Sequence, residues 1–341
     1  MTPTQTGASS IPGGRPDDTE LRAAPGKLER WRLLGAELIA LIYIAIISEI
    51  ACATGATYVL FPELGALSHD VFTRPRGTWA RSPVRLAITP VLTAVVGILI
   101  TRSLPYGILS VLLVVGGSVA IVLALRSPVA PAISAGLLPL TIGVKSWWYP
   151  PGILLGTTLL AILSSTWGRT LTKQFATSAA TDDALDDAIE RTPTRYYWLP
   201  ALLLFVALAA LVVDLTGLRF ILFPPLVVIG FEMLGHTAIC PWAKRPLVLP
   251  VACFLTAAGG LLCWRMFGVS PLAAASSMGV GIVVLRGFDL HIPPALAIAL
   301  LPLVMDSPTV AYPVSVGLGT LLLTLWFIAC QRLFLKLELQ D

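Results

Sequence analysis

The sequence predicts an all-α, polytopic membrane bundle of about ten to twelve membrane segments, arranged as two tandem repeats. Three observations carry that expectation. Of 341 residues, 56% are hydrophobic and 12% charged, about half the charge of an average soluble domain. Apolar runs approaching the roughly 20 residues of a spanning helix follow one another along the chain. Residue patterns from the first half then return in the second at one constant spacing.

Residues 1 to 32 form the N-terminal tail, rich in Pro, Gly, Ser and scattered charge up to residue 27, and are expected to be disordered and cytoplasmic. The basic stretch ending at Arg32, the apolar run and Ala51-Cys52-Ala53 superficially resemble a signal peptide. Cleavage is not expected, because the run is long, carries Glu37 and Glu49, and has a counterpart opening the second half. Membrane repeat 1 covers 33 to 168, with runs at 33 to 56, 86 to 101, 107 to 125, 129 to 144 and 150 to 167. A charged linker follows at 169 to 195, where Arg169, Lys173, Arg191 and Arg195 flank Asp182, Asp183, Asp186, Asp187 and Glu190. That acidic patch reads as an exposed, solubilising short helix in preference to a cation site. Membrane repeat 2 covers 196 to 335, with runs at 197 to 218, 247 to 264, 269 to 285, 292 to 306 and 311 to 330. Each half also holds a shorter apolar piece, around 57 to 72 and 220 to 236.

Trp79-Ala80-Arg81-Ser82-Pro83 returns as Trp242-Ala243-Lys244-Arg245-Pro246, 163 positions later. The same 163 relates Thr93 to Thr256, Gly97 to Gly260, Arg102 to Arg265, Gly116 to Gly279, Pro131 to Pro294, Pro139 to Pro302 and Tyr149-Pro150 to Tyr312-Pro313. Leu60-Phe61-Pro62 and Leu222-Phe223-Pro224 differ by 162, which places one insertion or deletion in the intervening loop.

Positive residues flanking membrane helices stay on the cytoplasmic side. Arg22, Lys27, Arg30 and Arg32, the loop with Arg74, Arg76, Arg81 and Arg85, its partner with Lys244 and Arg245, the linker, and Arg332 and Lys336 all agree with one side if the short apolar pieces cross back. Both termini are then cytoplasmic in a multi-pass protein of the plasma membrane. The repeats run parallel under that parity and inverted if the short pieces do not cross.

Proline breaks in membrane helices free backbone groups that protein or a water-lined cavity must satisfy. They fall in matching places: Phe61-Pro62-Glu63 with Phe223-Pro224-Pro225, and Pro128-Val129-Ala130-Pro131 with His291-Ile292-Pro293-Pro294. Such breaks are either solute sites or kinks that shape the bundle. Near them, Arg126 and Arg286 offer charge to an anion or simply reach for the interface, and Asp289 and His291 cluster beside Arg286. Glu232 and His236, four residues apart, form a proton-relay candidate or a mutually satisfied pair, with Asp70 near the position equivalent to Glu232. Glu37, Glu49 and Asp214 lie in the first helices of the two halves. Ala273-Ala274-Ala275-Ser276-Ser277 with Gly279 and Gly281 reads as helix packing, and Trp147, Trp148 and Tyr149 as an interfacial belt. The five cysteines, Cys52, Cys240, Cys253, Cys263 and Cys330, show no CxxC pairing. No metal, cofactor or nucleic-acid partner is expected, and HExxH, GxSxG and GxxxxGK are missing.

At His291-Ile292-Pro293-Pro294-Ala295, followed by apolar residues through Leu300-Leu301-Pro302, the chain resembles the HPP family, named for a His-Pro-Pro motif opening a membrane helix. Phe223-Pro224-Pro225, Pro241-Trp242-Ala243-Lys244-Arg245-Pro246 and Gly259-Gly260 are similar in order and spacing to the family's first turn, basic loop and second helix. The resemblance covers about 197 to 330, with the first half as a diverged copy. Ile292 separates His291 from the prolines, and the first copy has Pro128 in the place of the His. The resemblance implies a multi-helix membrane domain, some members being linked to nitrite transport.

The expectation is a non-enzymatic transporter or channel for a small solute, a small inorganic anion such as nitrite by resemblance. Its substrate-binding set is Arg126, Pro131, Arg286, Asp289, His291, Pro293 and Pro294, with proton coupling at Glu232 and His236 and helix breaks at Pro62, Pro224 and Pro225. The bilayer is the expected partner, with homo-oligomerisation an option. Two other classes compete: a membrane scaffold or assembly protein, and a lipid-modifying enzyme in which Asp289, His291 and Arg286 converge at one leaflet.

Overall fold

The computed structural model describes residues 27–171, 187–190, 193, 198–237 and 239–338, and among them there are helices and no strands. Twelve α-helices are labelled here in chain order. The first six are α1 (Lys27–Thr54), α2 (Glu63–Thr73), α3 (Pro83–Ser103), α4 (Ile108–Ala124), α5 (Ala132–Ile142) and α6 (Tyr149–Leu171). The second six are α7 (Trp198–Thr216), α8 (Pro224–Gly235), α9 (Val248–Phe267), α10 (Pro271–Gly287), α11 (Pro293–Leu300) and α12 (Ala311–Glu338).

Among the described residues, five stretches are long and apolar enough to cross a membrane: Arg30–Thr54, Pro83–Ser103, Trp198–Thr216, Val248–Phe267 and Ala311–Gln331. Only 39–44% of each is buried inside the molecule, so most of their apolar surface faces outward. Leu38, Ile42 and Ile46 on α1, like Leu318, Leu321 and Leu325 on α12, are exposed at helical spacing. Polar residues take the inner faces instead: Ser48, Thr89, Thr93, Ser118, Thr256 and Thr320 are fully buried. Water would penalise that outward surface and lipid would not, so the fold is compatible with an integral membrane protein.

Helix boundaries follow backbone chemistry. Pro83 and Pro271 stand in the first turns of α3 and α10, where the missing N–H costs nothing, and the Ser270 hydroxyl accepts from the Ala273 N–H as a cap. Gly55 and Gly217, at φ 68° and 73°, stop α1 and α7 in the left-handed region that glycine tolerates. The two short apolar pieces form half-length helices, because Pro62 and Pro224-Pro225 delay helix formation until midway through the bundle.

Contacts between ends give the direction of each helix. Glu37 near the start of α1 meets His69 late in α2, and the rings of Tyr43 and Phe72 stand 6.3 Å apart, so α2 runs back toward the edge where α1 begins. We call this the near edge. The Thr93 hydroxyl, halfway along α3, donates to the Ala132 carbonyl at the start of α5, and a Cβ on Gly97 would strike the Gly136 carbonyl oxygen. Accordingly α5 starts at mid-height and runs to the far edge, where Arg102 Nη1 donates to the Lys145 carbonyl at 2.7 Å. The Trp167 indole of α6 returns to the Phe72 carbonyl near the near edge.

In the second half, the rings of Trp198 and Phe231 meet at 5.0 Å, α8 running back along α7. A Cβ on Gly260 would strike the Ala299 carbonyl oxygen, fixing α11 against α9, and Trp326 Nε1 donates to the Ala201 carbonyl. Tyr312 donates to the Ile298 carbonyl, as Tyr149 does to Ala135. Between the halves the packing is reciprocal: α1 lies on α10 and α7 on α4, while α2 lies on α11 and α8 on α5. One pair is inverted. Gly117 on α4 faces the Val96 side chain on α3, whereas on α9 and α10 Gly259 faces the Val280 side chain.

Candidate functional site

The short helices concentrate polar groups in two places, one at mid-height and one toward the near edge. At mid-height α2 and α5 begin close together and leave in opposite directions, and Pro62 and Pro131 immediately precede them. Glu63 is the first residue of α2 and is fully buried. Among the described residues neither carboxyl oxygen has a hydrogen-bond partner. The Ser134 hydroxyl of α5 stands beside it, and the phenols of Tyr149 and Tyr312 lie within electrostatic range. Both phenols donate to backbone carbonyls, at 2.9 Å to Ala135 and 2.5 Å to Ile298.

Toward the near edge, Arg74 follows α2 and is buried among carboxylates. Its Nη1 lies 2.6 Å from Asp70 Oδ1 and 2.6 Å from Glu190 Oε1, and its Nη2 2.9 Å from Asp187 Oδ1. Asp187 also accepts from the Thr78 N–H at 3.0 Å. Burial and the Asp70 carboxylate push the Glu190 carboxyl up to about 9, against the pull of Arg74. A proton held on Glu190 relieves the crowding of these carboxyls around one guanidinium. Of the acidic linker patch, Asp187 and Glu190 therefore dock onto the bundle, where the sequence suggested an exposed helix; a buried arginine needs counter-charges that its own loop does not supply. The tail through residue 26, and Lys173, Asp182, Asp183, Asp186, Arg191 and Arg195, lie outside the described residues.

A narrow cavity with about 10 Å³ of space for water, about one molecule, is lined by Arg74, Trp79, Ile189, Glu190, Glu232, Trp242, His291 and Pro293. Trp79 donates its indole N–H to the Pro128 carbonyl at 2.8 Å, tying this wall to the first proline break. The cavity brings together His291, Pro293 and Glu232 of the expected set. His236 follows Glu232 at the end of α8, its N–H on the Glu232 carbonyl at 3.0 Å. Pro131, Pro294, Pro62, Pro224 and Pro225 are buried at the helix starts.

Arg286 is half-exposed and held by Glu37 at 2.6 Å, and Glu37 also lies 3.5 Å from His69, whose ring is 6.3 Å from that of His291. Arg126 and Asp289 are exposed, each in a left-handed turn at φ 45° and 52° after α4 and α10. Glu49 and Asp214 are exposed on the outer surface. Sequence reasoning did not single out Glu63 or Arg74 as individual site residues. The available signals were an acid directly after a helix-breaking proline, and the four-residue spacing of Asp70 and Arg74.

Comparison of the chain with protein-family models, curated proteins and solved structures finds no match.

Proposed function

We propose that the chain is a multi-pass plasma-membrane transporter or channel for a small solute, with no catalytic role, built from two tandem copies of a six-segment unit. The observation that carries this reading is the meeting of broken helices at mid-height around a buried, unpartnered Glu63, above a polar cavity. Interrupted helices and an ionisable group at membrane depth are costly in lipid and recur where a solute path requires them. The converging half-helix N-termini add positive dipole ends.

The duplication is supported by geometry at the spacing seen in the sequence. Tyr149 to Ala135 and Tyr312 to Ile298, and Gly97 to Gly136 and Gly260 to Ala299, are pairs 163 apart, as are the left-handed Arg126 and Asp289. Like directions in both halves and reciprocal packing favour parallel repeats about an axis along the bundle. Arg74, Arg76, Arg81, Arg85, Lys244 and Arg245 at the near edge outnumber Arg102, Lys145, Arg219 and Arg265 at the far one, which favours a cytoplasmic near edge and cytoplasmic termini.

The solute class rests on the resemblance of 197 to 330 to the HPP family and is a small anion such as nitrite. The test is uptake of labelled nitrite into proteoliposomes, with nitrate and chloride as competitors, for wild type and His291→Ala. Saturable uptake weakened by the substitution supports the assignment and places His291 on the path. Absence of uptake by folded protein, with or without a proton gradient, overturns it. The narrowness of the cavity would then favour a second reading, a membrane scaffold whose centre is packed closed.

A further inference from the structure

We infer that Glu63 is a proton-binding site at the centre of the molecule, one per chain, through which movement of the solute is coupled to protons. The coupling rests on the transporter reading; proton binding itself does not.

Glu63 is fully buried and both its oxygens lack a hydrogen-bond partner among the described residues. Ser134 of α5 stands beside it, and the Tyr149 phenol of α6 and the Tyr312 phenol of α12 lie within electrostatic range, both already engaged with carbonyls. The remaining ionisable groups of α2, His69 and Asp70, and Glu37 on the adjoining α1, lie toward the near edge, His69 about 9 Å along the helix axis from Glu63. Tyr43 of α1 donates to the Gly156 carbonyl, and α11, which packs on α2, carries no ionisable side chain. Among the described residues no cation therefore stands against Glu63, and a carboxylate there would be buried without a counter-charge.

One feature works in the opposite direction. Glu63 sits in the first turn of α2, an 11-residue helix, where the aligned peptide dipoles favour negative charge. If water reaches the carboxyl, its O–H bond breaks, the proton passes to that water, and the carboxylate left behind is held at the helix start. A metal ion is a poor fit, since among the described residues no group of three or more His, Cys, Asp or Glu side chains could hold one.

The stoichiometry follows from the broken symmetry of the two halves. At the spacing of 162 that relates Phe61-Pro62 to Phe223-Pro224, the residue equivalent to Glu63 in the second half is Pro225, and Ser134 corresponds to Ala297 at 163. The scaffold is paired and the acid is not.

The test is infrared difference spectroscopy of the full chain in lipid, with pH stepped over the folded range, on wild type, Glu63→Gln and Glu63→Asp. The expected result is a deuterium-sensitive carboxylic-acid carbonyl band that changes with pH, is lost in Glu63→Gln and moves in frequency in Glu63→Asp. Identical spectra for wild type and Glu63→Gln, or a Glu63 band indifferent to pH, overturn the proposal. Should Glu63→Gln fail to fold, the Glu63→Asp shift decides alone. Coupling is read from a lumenal pH dye during nitrite uptake: about one proton per nitrite supports it, and nitrite uptake without any pH change overturns the coupling while leaving transport standing. A titrating band in a chain that takes up no nitrite would sustain the proton site and sink the transporter reading.

Discussion

Replacing Arg74 with Met should destabilise the protein strongly at neutral pH and weakly in acid. The guanidinium makes charge-assisted hydrogen bonds to Asp70, Glu190 and Asp187, and Asp70 is fully buried beneath it. Removing one partner of a buried ion pair costs about 3–5 kcal/mol, chiefly because the other charge is left without compensation. That loss has a ceiling. An aspartate that has lost this arginine can take up a proton instead, which for a carboxyl of the ordinary 3.9 costs about 4 kcal/mol at pH 7 and only about 1.5 kcal/mol at pH 5. The expected loss is therefore about 3–4 kcal/mol at pH 7, shrinking by more than half at pH 5. Equilibrium unfolding in mixed micelles at both pH values measures it, and Arg74→Met with Asp70→Asn should recover much of the difference. A loss below about 1 kcal/mol at pH 7, the size of a surface ion pair, would refute the argument, as would an equal loss at both pH values.

Two further perturbations test other parts of the structure. Because the Glu190 carboxyl is pushed from its ordinary 4.5 up to about 9, the folded state holds a proton that the undocked linker releases. Docking should be firmest below pH 4.5 and weaken as pH rises toward 9; hydrogen exchange at 187–190 reads this, and Glu190→Gln should flatten the profile. Gly97→Ala and Gly260→Ala should each cost about 1–3 kcal/mol or prevent folding, since the added methyl meets a backbone carbonyl, while Gly116→Ala, facing open space, should be nearly silent in thermal unfolding.

Much of the architecture was readable because lipid imposes few options: apolar run length marks helices, and proline marks where they stop. Predicted runs such as 107 to 125 and 269 to 285 lie within two residues of α4 and α10. The half-helices were visible as short apolar pieces, but their direction depended on long-range contacts such as Glu37 with His69. The site was less legible. Glu63 sits in a motif noted for its proline, and a first-turn acid ordinarily needs no explanation beyond the helix dipole. Arg74 stood among loop arginines that suggest topology, and only folding brings the linker's Asp187 and Glu190 to it across more than a hundred residues. Arg126 and Arg286 were weighed as anion ligands, whereas Glu37 occupies Arg286 and Arg126 faces outward.

On the two-repeat reading proposed above, the inverted glycine and valine between α3–α4 and α9–α10 bears on how far the halves can be interchanged. If α10 were grafted in place of α4, Val96 would confront Val280, two branched side chains in a gap shaped for one. The reverse graft would set Gly117 opposite Gly259 and open a void. Each helix pair has settled which member contributes the bulk, and they have settled it differently. A symmetrised chain made of one half repeated would have to carry one of these choices through both copies, a small and concrete instruction for anyone building one.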